Sequence, residues 1–146
     1  MITWDVLHYD DLSRDLLYSI LKIRQEVFIL EQNCNYLDAD NIDQHSHHLL
    51  GVLDNELIAY MRIVQPNQIY TELSFGRILV KKEHRGKSVG RQLMQQAINI
   101  FSPDYKCIVK SAQLYLVDFY QDFNFKIHGE EYLEDNIPHI KMIRNG

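Results

Sequence analysis

The residues best suited to chemistry fall in one stretch, residues 77–91, which reads Arg-Ile-Leu-Val-Lys-Lys-Glu-His-Arg-Gly-Lys-Ser-Val-Gly-Arg. Ile78, Leu79 and Val80 have the apolar, partly β-branched character of a buried strand end. Arg85, Gly86, Lys87, Ser88, Val89, Gly90 and Arg91 then make a cationic, glycine-bearing turn that enters an amphipathic pattern. A strand, a tight turn and a helix start together form an anion site. The first helical N–H groups have no intrahelical partner, and the helix dipole adds partial positive charge there. Gly86 and Gly90 let the backbone approach a ligand without a Cβ in the way. The stretch therefore predicts a phosphate cradle, although an ordinary turn with solvated cations would share this composition. It matches neither G-x-x-x-x-G-K-[ST] nor G-x-G-x-x-G, the two common nucleotide fingerprints.

Other reactive side chains are scattered. Arg24 interrupts an apolar helical stripe, so it needs either a partner, Glu31 or a later carboxylate, or a solvated head on a buried stem. Tyr120 lies in an aromatic cluster with Phe119 and Phe123; packing accounts for such spacing, yet a buried phenol still needs a hydrogen-bond partner. His45, His47 and His48 match no zinc spacing. His47 and His48 should also face opposite ways on a strand. No metal is expected.

These residues need elements to hold them. Residues 2–9 alternate as a first strand, and Asp10-Asp11 can cap the helix that follows. Residues 32–47 have no period and many turn formers, and a loop of this length inside a compact domain is more often functional than idle. Residues 48–53 and 57–64 read as a hairpin around Asp54-Asn55-Glu56. Residues 72–80 form the strand feeding the cradle, with Gly76 marking a bulge or close approach. A helix follows to Ser102-Pro103, then a strand over 105–110 and a second helix over 112–123 closed by Asn124. Residues 125–134 and 138–144 read as two last strands around a Glu-Asp-Asn-Ile-Pro turn.

The chain has 146 residues, 46% hydrophobic, enough for one α/β domain over residues 1–146 with a substantial core. A net charge of −5 argues against a dedicated nucleic-acid binder. Cys34 and Cys107 give neither a disulfide framework nor a C-x-x-C pair. The first residues lack a basic, apolar leader, and no stretch reaches membrane-spanning length. A cytoplasmic protein without membrane partners is expected.

The turn at 85–90 resembles the acyl-CoA loop [QR]-x-x-G-x-[GA] of the GNAT superfamily, with Arg85 first, Gly90 last and Ser88 where an inner glycine is usual. Three further stretches resemble the ElaA-like branch of that superfamily: residues 23–32 with Cys34 and Tyr36; Ala112-Gln113 with Phe119-Tyr120 and Phe123-Asn124-Phe125; and residues 132–142. Together they cover nearly the whole chain. The resemblance implies one mixed central sheet with helices on both faces and a bulged fourth strand splayed from its neighbour. It implies direct acetyl transfer from acetyl-CoA, without a metal, to a primary amine of a small molecule or peptide. The backbone N–H near Leu79 would stabilise the carbonyl oxygen and Tyr120 would protonate the leaving thiolate. Glu31, Glu72 and His139 are candidates for the base, as is ordered water. Arg24, Glu31, Glu72, Glu134 and His139 are expected on the acceptor side. Glu31, Asp38, Asp40, Asp43, Glu134 and Asp135 form a carboxylate cluster suited to a cationic amine. A homodimer is compatible with this reading, and so is an acyl-CoA sensor or interaction module without turnover.

Overall fold

The computed structural model describes every residue from Met1 to Gly146. In chain order the elements are β1 (Thr3–His8), α1 (Arg14–Arg24), a π-helical segment (Gln25–Glu31), β2 (Ser46–Leu53), β3 (Glu56–Val64) and β4 (Leu73–Val80). After the turn come α2 (Val89–Phe101), β5 (Cys107–Gln113), α3 (Val117–Gln121), β6 (Lys126–Ile127), β7 (Tyr132–Glu134) and β8 (Ile137–Asn145). The strands form one sheet in the order β1-β2-β3-β4-β5-β8-β6, with β7 also paired to β8. Every pairing is antiparallel except β4 with β5. No helix is long and apolar enough to cross a membrane.

Alternation along the strands divides the core into two layers. Leu93, Met94 and Ala97 of α2 pack with Met61 and Phe75 on one face, where Tyr120 of α3 joins them. Ile20, Ile23 and Val27 pack with Leu50, Tyr60 and Leu79 on the other. The β2–β3 and β7–β8 hairpins close through Asp54-Asn55 and Asp135-Asn136, whose φ values of 50°, 63°, 52° and 64° suit a two-residue turn matched to strand twist.

The structure moves several expected boundaries. Ser13, rather than Asp10-Asp11, caps α1, its hydroxyl accepting from the Leu16 N–H at 3.1 Å. The Asp pair is taken up in a preceding 3₁₀ turn. The bulge in β4 falls at Arg77 and Ile78, which together face the interval between Tyr60↔Leu79 and Arg62↔Gly76. Its left-handed residue is Arg77, at φ 49°, and Gly76 stays in register. β5 runs on through Ala112 and Gln113 because both pair with β8, so the helix expected from 112 starts only at Val117, after a 3₁₀ turn. Residues 125–134 are two short strands rather than one, and Ile137-Pro138 belong to β8 rather than to the turn.

Candidate active site

β4 and β5 share two register pairs, Leu73↔Ile108 and Ser74↔Val109, and then part. The gap between them opens into a cleft of about 800 Å³. The bulge drives the separation, since an extra residue bends β4 away and leaves part of its backbone unpaired. Ile78, Leu79 and Val80 line the β4 wall.

At one mouth lies the turn into α2. Gly86 and Ser88 are both left-handed there, at φ 75° and 63°. Ser88 gives no side-chain cap to the helix. The first amide bonded back is that of Gln92, to the Ser88 carbonyl at 3.1 Å. The N–H groups of Val89, Gly90 and Arg91 precede it and have no intrahelical partner. A Cβ on Gly90 would meet only Phe119 and Val80, at 3.7 and 3.9 Å.

The cations are deployed differently from expectation. Arg85 donates Nε–H to the Val80 carbonyl at 2.8 Å and pairs through both terminal nitrogens with Glu31. It braces the turn against the π-helical segment. Arg91 pairs with Asp122 at 2.8 Å and lies over the Phe119 ring at 5.4 Å. Lys87 has no ion-pair partner, is exposed, and is not part of the cleft wall.

Arg24 does not reach the cleft. It is 0% exposed, with Asp38 at 2.8 Å and Asp43 at 2.7 Å as its partners. Glu31, the nearer candidate in sequence, serves Arg85. Arg62 bonds Asp40 and Asp43, each at 2.8 Å, and Arg77 bonds Asp38 at 2.7 Å. Three arginines and three aspartates thus tie the 32–45 loop to α1, β3 and the β4 bulge. Burial pushes the Asp43 carboxyl up, but Arg24 and Arg62 outweigh it and hold it below the usual range. Asp40 behaves alike, its burial overcome by Arg62 and Arg77. The expected carboxylate cluster is therefore mostly neutralised: Glu31, Glu134 and Asp135 line the cleft, and of these Glu31 is taken up by Arg85. Nor does Glu72 line it, lying before the first β4–β5 pair.

His48 belongs to the same packing. Its Nε2–H donates to the Asp43 carbonyl at 3.0 Å, since a carbonyl only accepts. That leaves Nδ1 to accept the Tyr60 hydroxyl at 2.6 Å, and burial lowers the ring's pKa.

On the α2–α3 side of the gap, Tyr120 is 4% exposed and borders the cleft with no protein hydrogen bond to its hydroxyl. Burial, helped by Tyr115, pushes this phenol up, so it keeps its proton at neutral pH. Above its ring, 3.7 Å from the centroid, sits the Lys110 amine. Lys110 was not anticipated as a site residue. Its signal was present: on β5 it lies two residues from both Ile108 and Ala112 and shares their face, which places a lysine on the inward side.

The other side carries Ser111, Gln113 and His139, a face that alternates with Lys110 and is also in the cleft. His139 donates Nδ1–H to the Ile137 carbonyl at 2.7 Å, so Nε2 is the ring nitrogen left for a further partner. Glu134 Oε2 lies 3.4 Å from that nitrogen, and the Tyr132 ring stacks on the imidazole at 6.1 Å. Ser111 donates to Glu134 at 3.2 Å.

A mixed sheet split between its two parallel strands, with an anion-ready helix start at one mouth of the gap, is the architecture of an acyl-CoA-dependent acyltransferase. A family model described as the acetyltransferase (GNAT) domain matches residues 14–145. The chain belongs to this GNAT acetyltransferase family, in its ElaA-like branch. It is 41% identical to a UPF0039 protein of Synechocystis, over 97% of this chain and 94% of that one. The crystal structure of Escherichia coli ElaA superposes with a TM-score of 0.92 at 39% identity, covering 99% of this chain and 100% of the other. An acyl-CoA N-acyltransferase from Pseudomonas aeruginosa superposes at 0.93 and 36% identity, with 99% of each chain covered.

Proposed function

We propose that this protein transfers an acetyl group from acetyl-CoA to a primary amine of a small molecule or peptide by direct attack. One observation carries the reading: a single cleft runs from the free amides of α2, through the β4–β5 gap beside Tyr120, to the His139–Glu134 pair. The amides of Val89, Gly90 and Arg91 hold the pyrophosphate. The gap takes the pantetheine arm and presents the thioester between the two faces of the sheet. A β4 N–H just past the bulge, near Leu79, stabilises the carbonyl oxygen as charge develops.

The acceptor enters from the His139 side and must lose a proton to attack. Glu72 is too remote for that task, and Glu31 is held by Arg85. His139 Nε2 accepts the proton, and the Glu134 carboxylate stabilises the resulting imidazolium. Tyr120 gives its proton to the departing thiolate. Glu134 and Asp135 at the mouth favour a cationic amine over an anionic one.

The test is thiol release from acetyl-CoA by the purified protein across a panel of cationic, neutral and anionic amines. Turnover with cationic amines supports the reading. Tight acetyl-CoA binding with no turnover on any amine would instead favour a sensor of the same fold. Turnover confined to anionic or neutral acceptors would overturn the charge argument.

A further inference from the structure

Lys110 is a poor choice for packing and a good one for chemistry. It occupies the first β5 position beyond the last β4–β5 pair, at the floor of the gap. It is 3% exposed and borders the cleft, so the cleft is its route to solvent. No carboxylate lies within ion-pair distance of its amine. Its one hydrogen bond, to the Ser111 carbonyl, is 3.5 Å long. Beneath it lies the ring of Tyr120, the residue assigned above to the leaving sulfur. The same place is thus set for a thioester and holds a lysine amine without a counter-charge.

We infer that Lys110 is a self-acetylation site, modified by the thioester that occupies the cleft of its own chain. The reasoning rests on the acetyl-CoA reading of the site. In the step, the Lys110 nitrogen attacks the thioester carbonyl, the C–N bond forms and the C–S bond breaks. The sulfur leaves as thiolate and takes up the proton that the amine releases, giving acetyl-lysine and free CoA. Burial lowers the Lys110 pKa to about 7, with Glu134 opposing weakly. Roughly half the amine is then neutral near pH 7, against about one part in 10³ for an ordinary lysine. Surface lysines are correspondingly slow. The product amide is stable and uncharged, and it fills the floor of the gap. Modification therefore slows transfer to external amines, a self-limiting device that acts when donor is abundant and acceptor scarce.

The experiment incubates the full chain with acetyl-CoA and no amine, follows intact mass, and maps the acetylated peptide. One acetyl group per chain, on Lys110, is expected before any other lysine reacts, at least about 10-fold faster than the next site. Excess free CoA, competing for the cleft, should suppress the modification, as should Gly90→Asp. Lys110→Arg should remove the early mass gain. Three outcomes overturn the inference: surface lysines reacting as fast as Lys110, Lys110 reacting at full rate despite excess CoA, or no acetyl-Lys110 in protein that turns over an external amine. Failure of the chain to bind acetyl-CoA at all, read by calorimetry, overturns the parent reading and this inference together.

Discussion

At the residue scale, the active-site assignments separate cleanly by substitution. Tyr120→Phe keeps the ring that packs on Phe119 and Phe125 but removes the hydroxyl. Acetyl-CoA affinity should hold while kcat falls about 10²-fold, the lower end of general-acid effects. A change of only a few-fold, with chemistry still rate-limiting, would leave Tyr120 as a core residue. His139→Asn should lower kcat/KM for amines by a similar factor, and steady-state kinetics would show it. Lys110 also marks stability. Its folded pKa, about 7, lies below the unfolded value of 10.5, so the unfolded chain binds the extra proton between those limits. The lysine's contribution is then complete above pH ~10.5 and shrinks as pH falls toward 7. Lys110→Met should raise the melting temperature at pH 7, by the equivalent of a few kcal/mol at most, and flatten the rise in stability between pH 7 and 10. Only Glu134 and the Tyr120 ring face the amine closely enough to modify this. The neighbouring motifs pointed to Tyr120 and His139, and both border the cleft. Lys110 was overlooked because a strand lysine usually points to water, although its two-residue spacing from Ile108 marks the inward face.

At the element scale, the long loop before β2 is anchored rather than free. Arg24 with Asp38 and Asp43 is almost fully buried, so Arg24→Ala empties a buried ion-pair site and leaves Asp38 with Arg77, and Asp43 with Arg62, as their remaining guanidinium partners. Denaturant titration should show a loss of about 3–5 kcal/mol. Arg91→Ala breaks a pair whose side chains are 54% and 53% exposed, and should change stability by no more than about 1 kcal/mol. Comparable losses from the two variants would sink this account of the loop. Because the folded pKa values of Asp40 and Asp43 lie below their unfolded ones, their contribution is full above the ordinary carboxylate range. It disappears as pH falls through the folded values, so the loop should loosen in acid. Ser88 carries a smaller strain. A left-handed non-glycine residue costs about 1–2 kcal/mol, and glycine's unfolded-state entropy offsets part of the relief. Ser88→Gly should therefore raise the melting temperature slightly, by less than the equivalent of about 1 kcal/mol. The sequence disclosed strand and helix types well, since alternation and the 3.6-residue period are local. It announced a bulge in β4 but put it at Gly76 rather than at Arg77, and it did not disclose the reach of β5 to Gln113. Both depend on partners in distant strands.

At the scale of the whole molecule, an acidic chain of net charge −5 carries its cationic turn on one side and Glu134 and Asp135 on the other mouth of the cleft. Attraction of a cationic acceptor to that mouth is screened by salt, with a Debye length of about 8 Å at physiological ionic strength. KM for a cationic amine should rise with added salt while kcat stays level. A KM indifferent to salt would remove those carboxylates from acceptor capture. The order of elements and the mixed sheet could be read from the chain because each element announces itself locally. The carboxylate cluster could not be read correctly, because its arginine partners lie as far as 54 residues away in sequence.

The parting of β4 from β5 also leaves two inward strand edges inside the sheet. Beyond Ser74 and Val109, every second amide on each edge has no partner across the gap. Those amides should exchange with deuterated solvent far faster than their neighbours, which are bonded to β3 and β8, although all lie at the centre of the protein. Occupation of the gap by acetyl-CoA should slow them selectively, leaving the outer strands unchanged. Residue-resolved exchange would then trace the path of the ligand through the sheet without a crystal of the complex, and uniform protection along both strands would show the gap closed in solution.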